Sequence, residues 1–482
     1  MIIDLEFLKL SIPYSCISFE GKDWKSVHEI SDLGFKKREF YISIDTRSMN
    51  SGDAFIAFKG ERVDAHDFLV DALECGSEFL IINDSERYRL NFLRNDLLEN
   101  RLFLTVPDTY KALIDLAKNW RKKFDYHVVG VTGSIGKTTT KEIVSSILKQ
   151  AKLDAMISKK NQNTLIGICL NILKMRSQHK VAVFEIGISE KGEMDHKVDL
   201  LNPSMGVITS IAHSHIEGLG NLDGIAREKK KIFKHFNDRN VGIIHGNQKL
   251  LSKTSYSHPV AKFGFGTKNN IIASNLKEIF DDSKNYYTKF TLKIYGEKFD
   301  AIIKSNHKGN IHNAMAAATI SYFLNVETKF IIDGIKDFDG FEKRFEKRKI
   351  KNNKGFLISD CYNANPESMK EAILTVHKMN FDGSKIAIIG DMLELGAREK
   401  FWHRQIGRTF FKATSFEKLI LVGKMAREIA KFAPTNFDVE FASDWKEAIK
   451  EFEKKIDAKN NLVLVKSSQG INLDKLVEEV AE

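Results

Sequence analysis

Apolar residues fall along this chain in short runs separated by mixed segments. The runs at 40–44, 54–58, 78–82 and 127–131, and later at 355–359, 386–389, 419–422 and 462–465, are strand-sized. Between them apolar positions recur at helical spacing, as at 108–124 and 311–324. Such alternation predicts an α/β fold of layers built on largely parallel sheets. A chain of 482 residues exceeds one ordinary core and is expected to form about three domains. The pattern divides it into 1–105, 106–325 and 326–482, with 326–339 as the passage into the third block, which reads as a doubly wound, Rossmann-like sheet.

Composition adds limits. With 43 % hydrophobic and 29 % charged residues and six prolines, the chain reads as soluble and globular, without a repeat or low-complexity tract. No apolar run approaches the ~18 residues of a membrane helix, so no membrane insertion is expected. The start carries Asp4 and Glu6 where a secretory signal carries Lys or Arg, which places the protein in the cytoplasm. Cys16, Cys75, Cys169 and Cys361 lie far apart, with neither disulfide-framework nor zinc spacing. The net charge of +10 comes from lysines spread end to end and alternating with acids, which points to small anionic substrates rather than nucleic acid.

The most informative stretch is 128–140. A buried strand leads in, then Gly133, Ser134 and Gly136 precede Lys137, Thr138 and Thr139, and Ile143, Val144, Ile147 and Leu148 repeat at helical spacing. Glycines between a strand end and a helix N-terminus let backbone N–H groups converge on phosphate oxygens. Lys137 is placed to neutralise the β/γ charge, and the Thr138 hydroxyl to hold Mg²⁺. The longer G-x-x-x-x-G-K-[ST] form wants glycine at 131, where Val131 stands, so this is the shorter G-x-x-G-K-T loop. Guanine-specific N-K-x-D loops are absent, which disfavours a GTPase switch. The central block is therefore expected to be a P-loop ATPase-type parallel sheet.

The segment 130–139 resembles the ATP loop of the Mur ligases, the amide-forming enzymes of peptidoglycan synthesis, whose relatives include folylpolyglutamate synthetase. The likeness continues at Asn161-Gln162-Asn163-Thr164, at Phe184-Glu185-Ile186-Gly187, through 209–220 with His215, and at Ile225-Ala226-Arg227-Glu228-Lys229. Residues 360–369, from Asp360 to Met369, and Gly390-Asp391-Met392-Leu393-Glu394-Leu395-Gly396 with His403 resemble the branch that adds D-alanyl-D-alanine. Asp45-Thr46-Arg47, Gly52-Asp53-Ala54-Phe55 and 59–68 are similar to the family's UDP-binding domain, so the resemblance spans essentially the whole chain. Departures exist. Gly309 stands where the family's G-x-H-N pattern has histidine, Lys466-Ser467-Ser468-Gln469 replaces K-G-S-R, Ala65 replaces glycine and Ser210 replaces asparagine.

The resemblance implies an ATP-dependent carboxylate–amine ligase that adds D-alanyl-D-alanine to UDP-N-acetylmuramoyl-tripeptide through an acyl phosphate, giving ADP and phosphate. Lys137, Glu185, His215 and Lys229 are then the candidates for the chemistry. Thr138, Glu185, His215 and a carbamylated Lys229 are the candidates for holding Mg²⁺. Glu185 also follows the apolar run 181–184, at an expected strand end where sites in such sheets lie. Lys229, in contrast, sits in a Lys229-Lys230-Lys231 run that looks like a solvated charge cluster. For ATP the resemblance implies Asn310 near the adenine, Asp360 near the ribose and Arg344 at the phosphates. It implies Asn363 and Asn365 for the dipeptide, and Thr46 and Arg47 for the uridine diphosphate. A monomer is expected. Another Mur-type or folylpolyglutamate-type ligase is the alternative within the fold, the latter without need of a UDP-binding first block. A nucleotide-dependent binding module is the alternative from another class, and it predicts ATP binding without amide product.

Overall fold

In the central and C-terminal sheets the strands run one or two residues past the apolar segments that predict them, whereas the predicted 40–44 and 54–58 shorten to Ile42–Ser43 and Ala54–Ile56. The computed structural model describes residues 2–31, 38–159, 162–280, 286–305, 307–456 and 460–482; Asn161 lies outside the described residues. The chain forms two compact units, one of 1–128, 154–186 and 196–203, the other of 129–153, 187–195 and 204–482.

In the first unit a six-stranded sheet runs in the order Lys25–Ser26, Cys16–Phe19, Leu102–Val106, Phe79–Asn83, Ala54–Ile56, Ile42–Ser43. The last four strands are parallel, and Phe55, Leu80 and Phe103 pack into its core. The expected strands at 40–44, 54–58 and 78–82 are present, and Leu102–Val106 is a further buried one. Asp108 caps the helix Thr109–Arg121 by accepting from Tyr110 N and Lys111 N, and the helix buries Ala112, Leu113, Leu116, Ala117 and Trp120 at helical spacing. Ala155–Ile157 and Val181–Glu185 pair in parallel, and Glu185 ends the second of them, fully buried.

The second unit holds two sheets. In the first, His127–Thr132, Met205–Ile208, Val241–His245 and Val260–Gly264 are parallel neighbours. Beyond them Ile271–Phe280, Tyr286–Ile294 and Glu297–Ile303 form an antiparallel extension. The extension departs from the largely parallel expectation, and its cause is visible in Tyr286–Ile294, where burial alternates along the strand as it does when one face meets solvent. The expected helix at 311–324 is Lys308–Phe323. The passage at 326–339 contains a helix of its own, Thr328–Lys336, set so close to Lys137–Gln150 that a side chain at Gly334 would run into the backbone of Ile147.

The second sheet orders its strands Glu346–Ile350, Gly355–Asp360, Asn461–Lys466, Ser384–Gly390, Lys418–Val422, Asp438–Ala442, all parallel except the first pair. Alternate residues feed two cores. Ile358, Ile389, Leu421 and Leu464 face one, and Leu357, Ile388, Ile420 and Val463 face the other. Apolar on both faces and covered by helices, this is the doubly wound sheet that the sequence predicts. None of the described helices is long and apolar enough to cross a membrane.

Candidate active site

The phosphate loop joins strand His127–Thr132 to helix Lys137–Gln150. Gly136, at the helix start, takes φ of +89°, and a side chain there would strike Asn313 Oδ1. At Gly133 a side chain would strike Thr209 Oγ1. The loop is held from one side by the segment after strand Met205–Ile208. Ser134 N donates to Ser210 O (2.8 Å), Ser134 Oγ to Ala212 O (3.0 Å) and Ile135 N to Ser210 Oγ (3.0 Å). Ser210 Oγ and Thr209 Oγ1 in turn donate to Ile135 O at 3.0 and 2.6 Å. Serine at 210, a departure from the family pattern, therefore still clamps the loop. The first helical bond is Thr140 N to Gly136 O (2.9 Å), so the amides of 137–139 belong to the turn that has no intrahelical acceptor and favours anions. Lys137 Nζ donates to Gly133 O at 2.9 Å, Thr138 is buried, and Thr139 lies buried beside it.

From the turn just before strand Glu346–Ile350, Arg344 reaches this loop: its Nη2 donates to Thr138 Oγ1 at 2.8 Å, and its guanidinium lies 4.0 Å over the Tyr362 ring. Its Nε is buried without a hydrogen-bond partner. Asn310 and Asn313 share one face of helix Lys308–Phe323. Asn313 Oδ1 accepts from Thr140 Oγ1 (3.4 Å), and Asn310 Nδ2 donates to Ser305 Oγ (2.9 Å). Where Gly309 replaces histidine, the His307 ring lies against it, within 2.9 Å of where a Cβ would stand. Asp360 emerges at its strand's C-terminal end, where the buried Lys466 Nζ donates to its Oδ2 at 2.5 Å and to Asn363 O at 3.1 Å. Asn363 is exposed and its Oδ1 accepts from Ala364 N at 2.8 Å. Asn365 is buried and caps helix Pro366–Lys378, accepting from Ser368 N at 2.9 Å, so its side chain is engaged in the fold.

The candidates for metal chemistry divide between the units. Glu185 Oε1 accepts from Asn163 Nδ2 (2.9 Å) and Glu185 N donates to Ser158 Oγ (3.0 Å) within the first unit. In the second, His215 sits in the left-handed region (φ 54°) with Nδ1 2.5 Å from Glu394 Oε2. Lys229 is 1 % exposed, at the end of helix Leu222–Lys230. This corrects the solvated-run expectation for 229–231: helical spacing turns Lys229 inward with Ile225 and Ala226. Lys230 donates to Thr254 Oγ1, and Lys231 pairs with Asp195 (2.7 Å) and Glu228 (2.8 Å). Among the described residues no group of three or more His, Cys, Asp or Glu is arranged to hold a metal. Each taken alone, the Thr138 hydroxyl in the second unit and the buried Glu185 carboxylate in the first are oxygen donors of the kind Mg²⁺ takes, which needs one or two protein oxygens and draws the rest from phosphate and water.

In the first unit Asp45 caps the turn Thr46–Ser48, and Arg47 folds back on it in a bidentate pair, Nε to Oδ1 at 2.8 Å and Nη2 to Oδ2 at 2.7 Å. Thr46 O accepts from Cys75 Sγ. Several structural partners escape sequence reasoning because they meet only in the fold. Thr209 and Ser210 clamp the loop from more than seventy residues away, and His213, its ring tilted against Trp402 with centroids 4.2 Å apart, pairs with Glu367 across 154 residues.

Three family models match the chain in order: "Mur ligase family, catalytic domain" at 41–121, "Mur ligase middle domain" at 131–321 and "Mur ligase, glutamate ligase domain" at 343–469. A UDP-N-acetylmuramoyl-tripeptide–D-alanyl-D-alanine ligase of Bacillus subtilis is 32 % identical over 92 % of this chain and 93 % of its own length. The Escherichia coli ligase of the same name is 31 % identical over 81 % of this chain and 82 % of its own. Among solved structures, MurF from Acinetobacter baumannii matches with a TM-score of 0.81 and 26 % identity over 99 % of this chain and 98 % of that one. MurF ligase from Thermotoga maritima in complex with ADP shares the fold, with a TM-score of 0.74 and 24 % identity over 91 % of this chain and 96 % of that one. The three-domain α/β organisation is that of these structures, and the chain belongs to the Mur ligase family.

Proposed function

We propose that this protein is the ATP-dependent ligase that joins D-alanyl-D-alanine to UDP-N-acetylmuramoyl-tripeptide in peptidoglycan precursor synthesis. The similarity to the B. subtilis and E. coli ligases over most of their lengths supports the substrate assignment. The observation that carries the chemistry is the phosphate loop, with Lys137, Thr138 and Arg344 converging on one helix N-terminus. A tripeptide carboxylate oxygen attacks the γ-phosphorus of ATP, ADP leaves, and an acyl phosphate forms. The dipeptide amine then attacks the acyl carbon, loses a proton and expels phosphate. Charge gathers on the transferred phosphoryl, so the work of this chain is positioning and cation stabilisation. Lys137 and Arg344 contribute fixed positive charge, and the 137–139 amides contribute oriented N–H groups.

Mg²⁺, when bound with ATP, neutralises phosphate charge; Thr138, Glu185, His215 and Lys229 are the residues proposed to hold it, Lys229 after carbamylation. Asn310 is proposed for the adenine, Asp360 for the ribose, Thr46 and Arg47 for the uridine diphosphate, and Asn363 for the dipeptide. Asn365 is proposed for the dipeptide through its side-chain Nδ2, since its Oδ1 and its backbone N–H and carbonyl are engaged in the cap with Ser368 and Met369. Domain limits at 105/106 and 325/326, a monomer and a cytoplasmic location belong to the same proposal. Sedimentation of the purified full chain and fractionation of the producing cell test the last two. Phosphate release measured with each substrate omitted in turn tests the reaction: release that requires both is expected, and release with a free amino acid but not the dipeptide would indicate another Mur-type activity.

A further inference from the structure

Glu394 occupies the turn that follows strand Ser384–Gly390, and that turn is pinned from three directions. Asp391, 7 % exposed, accepts from Ala426 N (2.6 Å) and Lys424 N (3.1 Å). Met392 N donates to Nε2 of the fully buried His403 (3.0 Å), and Leu393 N donates to Ser468 Oγ (3.0 Å). At its end Glu394 takes φ of 61°, and its backbone and side chain both grip residues 215–216, in the segment that follows strand Met205–Ile208 and clamps the phosphate loop. Glu394 O accepts from Ile216 N at 3.1 Å, and Oε2 lies 2.5 Å from His215 Nδ1, off the ideal line. That nitrogen is buried and makes no hydrogen bond of good geometry, and the Glu394 carboxylate is the acceptor that lies against it. His215 too is left-handed, at φ 54°. Two facing non-glycine residues in a sparsely populated conformation persist only where the surroundings over-determine them, and such places concentrate at working sites.

We propose that Glu394 is a positioning residue for His215: by holding Nδ1 it fixes the ring and leaves Nε2 as the nitrogen presented to the reaction. A carboxylate behind a ligand histidine sets its tautomer and orientation, and losing it typically weakens metal binding by about 10- to 100-fold. His215 lies three residues beyond Ala212, whose carbonyl receives Ser134 of the phosphate loop, whereas Glu394 lies on the turn that leaves strand Ser384–Gly390 of the C-terminal sheet. The imidazole is thus set by the same docking that brings Arg344 to Thr138. The proposal rests on reading His215 as a metal ligand, and the experiment separates the two.

Mn²⁺ is titrated into the full chain with a non-hydrolysable ATP analogue and followed by electron paramagnetic resonance, for wild type, Glu394→Ala, Glu394→Gln, His215→Ala and the double alanine variant. The Mg²⁺ concentration giving half-maximal phosphate release is measured alongside. Glu394→Ala is expected to raise the Mn²⁺ Kd about tenfold, in line with an outer-shell carboxylate. Glu394→Gln, which keeps an acceptor for Nδ1–H, is expected to stay near wild type, and the double variant to be no weaker than His215→Ala. Glu394→Gln also carries the test if the alanine variant folds poorly. Unchanged affinity in Glu394→Ala, additive losses in the double variant, or Glu394→Gln as weak as alanine would overturn the positioning role. Unchanged affinity in His215→Ala would instead remove the metal role of His215, and the proposal with it.

Discussion

Arg344 Nη2 donates to Thr138 Oγ1 across 206 residues of sequence, so one guanidinium of the C-terminal region sits at the phosphate loop of the central one. Replacing it with alanine is expected to lower kcat by about 100-fold, the scale of removing one preorganised transition-state donor, while the fold persists. Arg344→Lys is expected to recover little, because an ammonium neither forks between acceptors nor stacks on Tyr362 as the guanidinium does at 4.0 Å. Steady-state kinetics with a melting control checks both, and a fully active lysine variant would show that charge alone suffices.

Lys229 offers a sharper contrast with its neighbours. It is buried at 1 % exposure, and a bare ammonium beside Mg²⁺ would repel it, whereas a carbamate reverses the sign. Lys229→Ala is expected to abolish turnover, with acetate partly restoring it. Lys230→Ala and Lys231→Ala are expected to stay within a few-fold of wild type, since Lys231 is itself partly exposed, its pair with Asp195 is a surface pair worth at most about 1 kcal/mol, and the buried Glu228 keeps the Gly192 and Met194 amides as donors. Turnover across this series is the measurement, and an active Lys229→Ala enzyme contradicts the role.

The family resemblance implies a ribose contact for Asp360, and the fold adds a second consequence. Its carboxylate is the partner of Lys466, itself 1 % exposed, and removing one member of a buried pair costs about 3 kcal/mol or more because the other charge is left uncompensated. Asp360→Ala is therefore expected to lose stability as well as ATP affinity. Asp360→Asn keeps an acceptor for Lys466 but not the countercharge, so it is expected to lose less stability than alanine, and the nucleotide effect is read as the loss of ATP affinity measured where each variant is fully folded. Calorimetric titration with ATP, beside a denaturant midpoint, separates the two effects.

Two histidines give a pH signature. Burial pulls His245 down to about 4, and burial, then the neighbouring His245, pulls His312 down to about 3, both from an ordinary value of 6.5. Their rings pack in a tilted arrangement with centroids 4.6 Å apart, and the Phe265 ring lies 4.7 Å from His312. Below pH 6.5 the unfolded chain takes up protons that the folded chain refuses, so stability falls with pH, by up to about 1.4 kcal/mol per unit for each group, until the folded values are reached. His312→Phe is expected to flatten the decline of Tm between pH 7 and 5, and an unchanged slope would deny the neutral, buried state of this ring.

Much of this was legible in the chain. The phosphate loop announced itself because glycines between an apolar strand and a helical repeat have few other uses, and the C-terminal strands because both faces are buried and their apolar runs are unbroken. Lys229 was obscured, since a triple lysine looks solvated until helical phase turns one of the three inward. Asn365 reads as a polar contact until its capping box with Ser368 is seen. Leu102–Val106 was missed because a five-residue apolar run beside a helix start does not declare its type. His213 with Glu367, and His215 with Glu394, are meetings that no local pattern records.

The central claim is that this chain couples ATP cleavage to one amide bond. Phosphate release by the full chain with Mg²⁺ and ATP, with the product identified by mass, tests it most directly, and Lys137→Ala serves as the folded, inactive control. The account predicts release only when UDP-N-acetylmuramoyl-tripeptide and D-alanyl-D-alanine are both present, with one UDP-linked pentapeptide formed per phosphate. Release that ignores the omission of either substrate, or that proceeds without amide product, would contradict it.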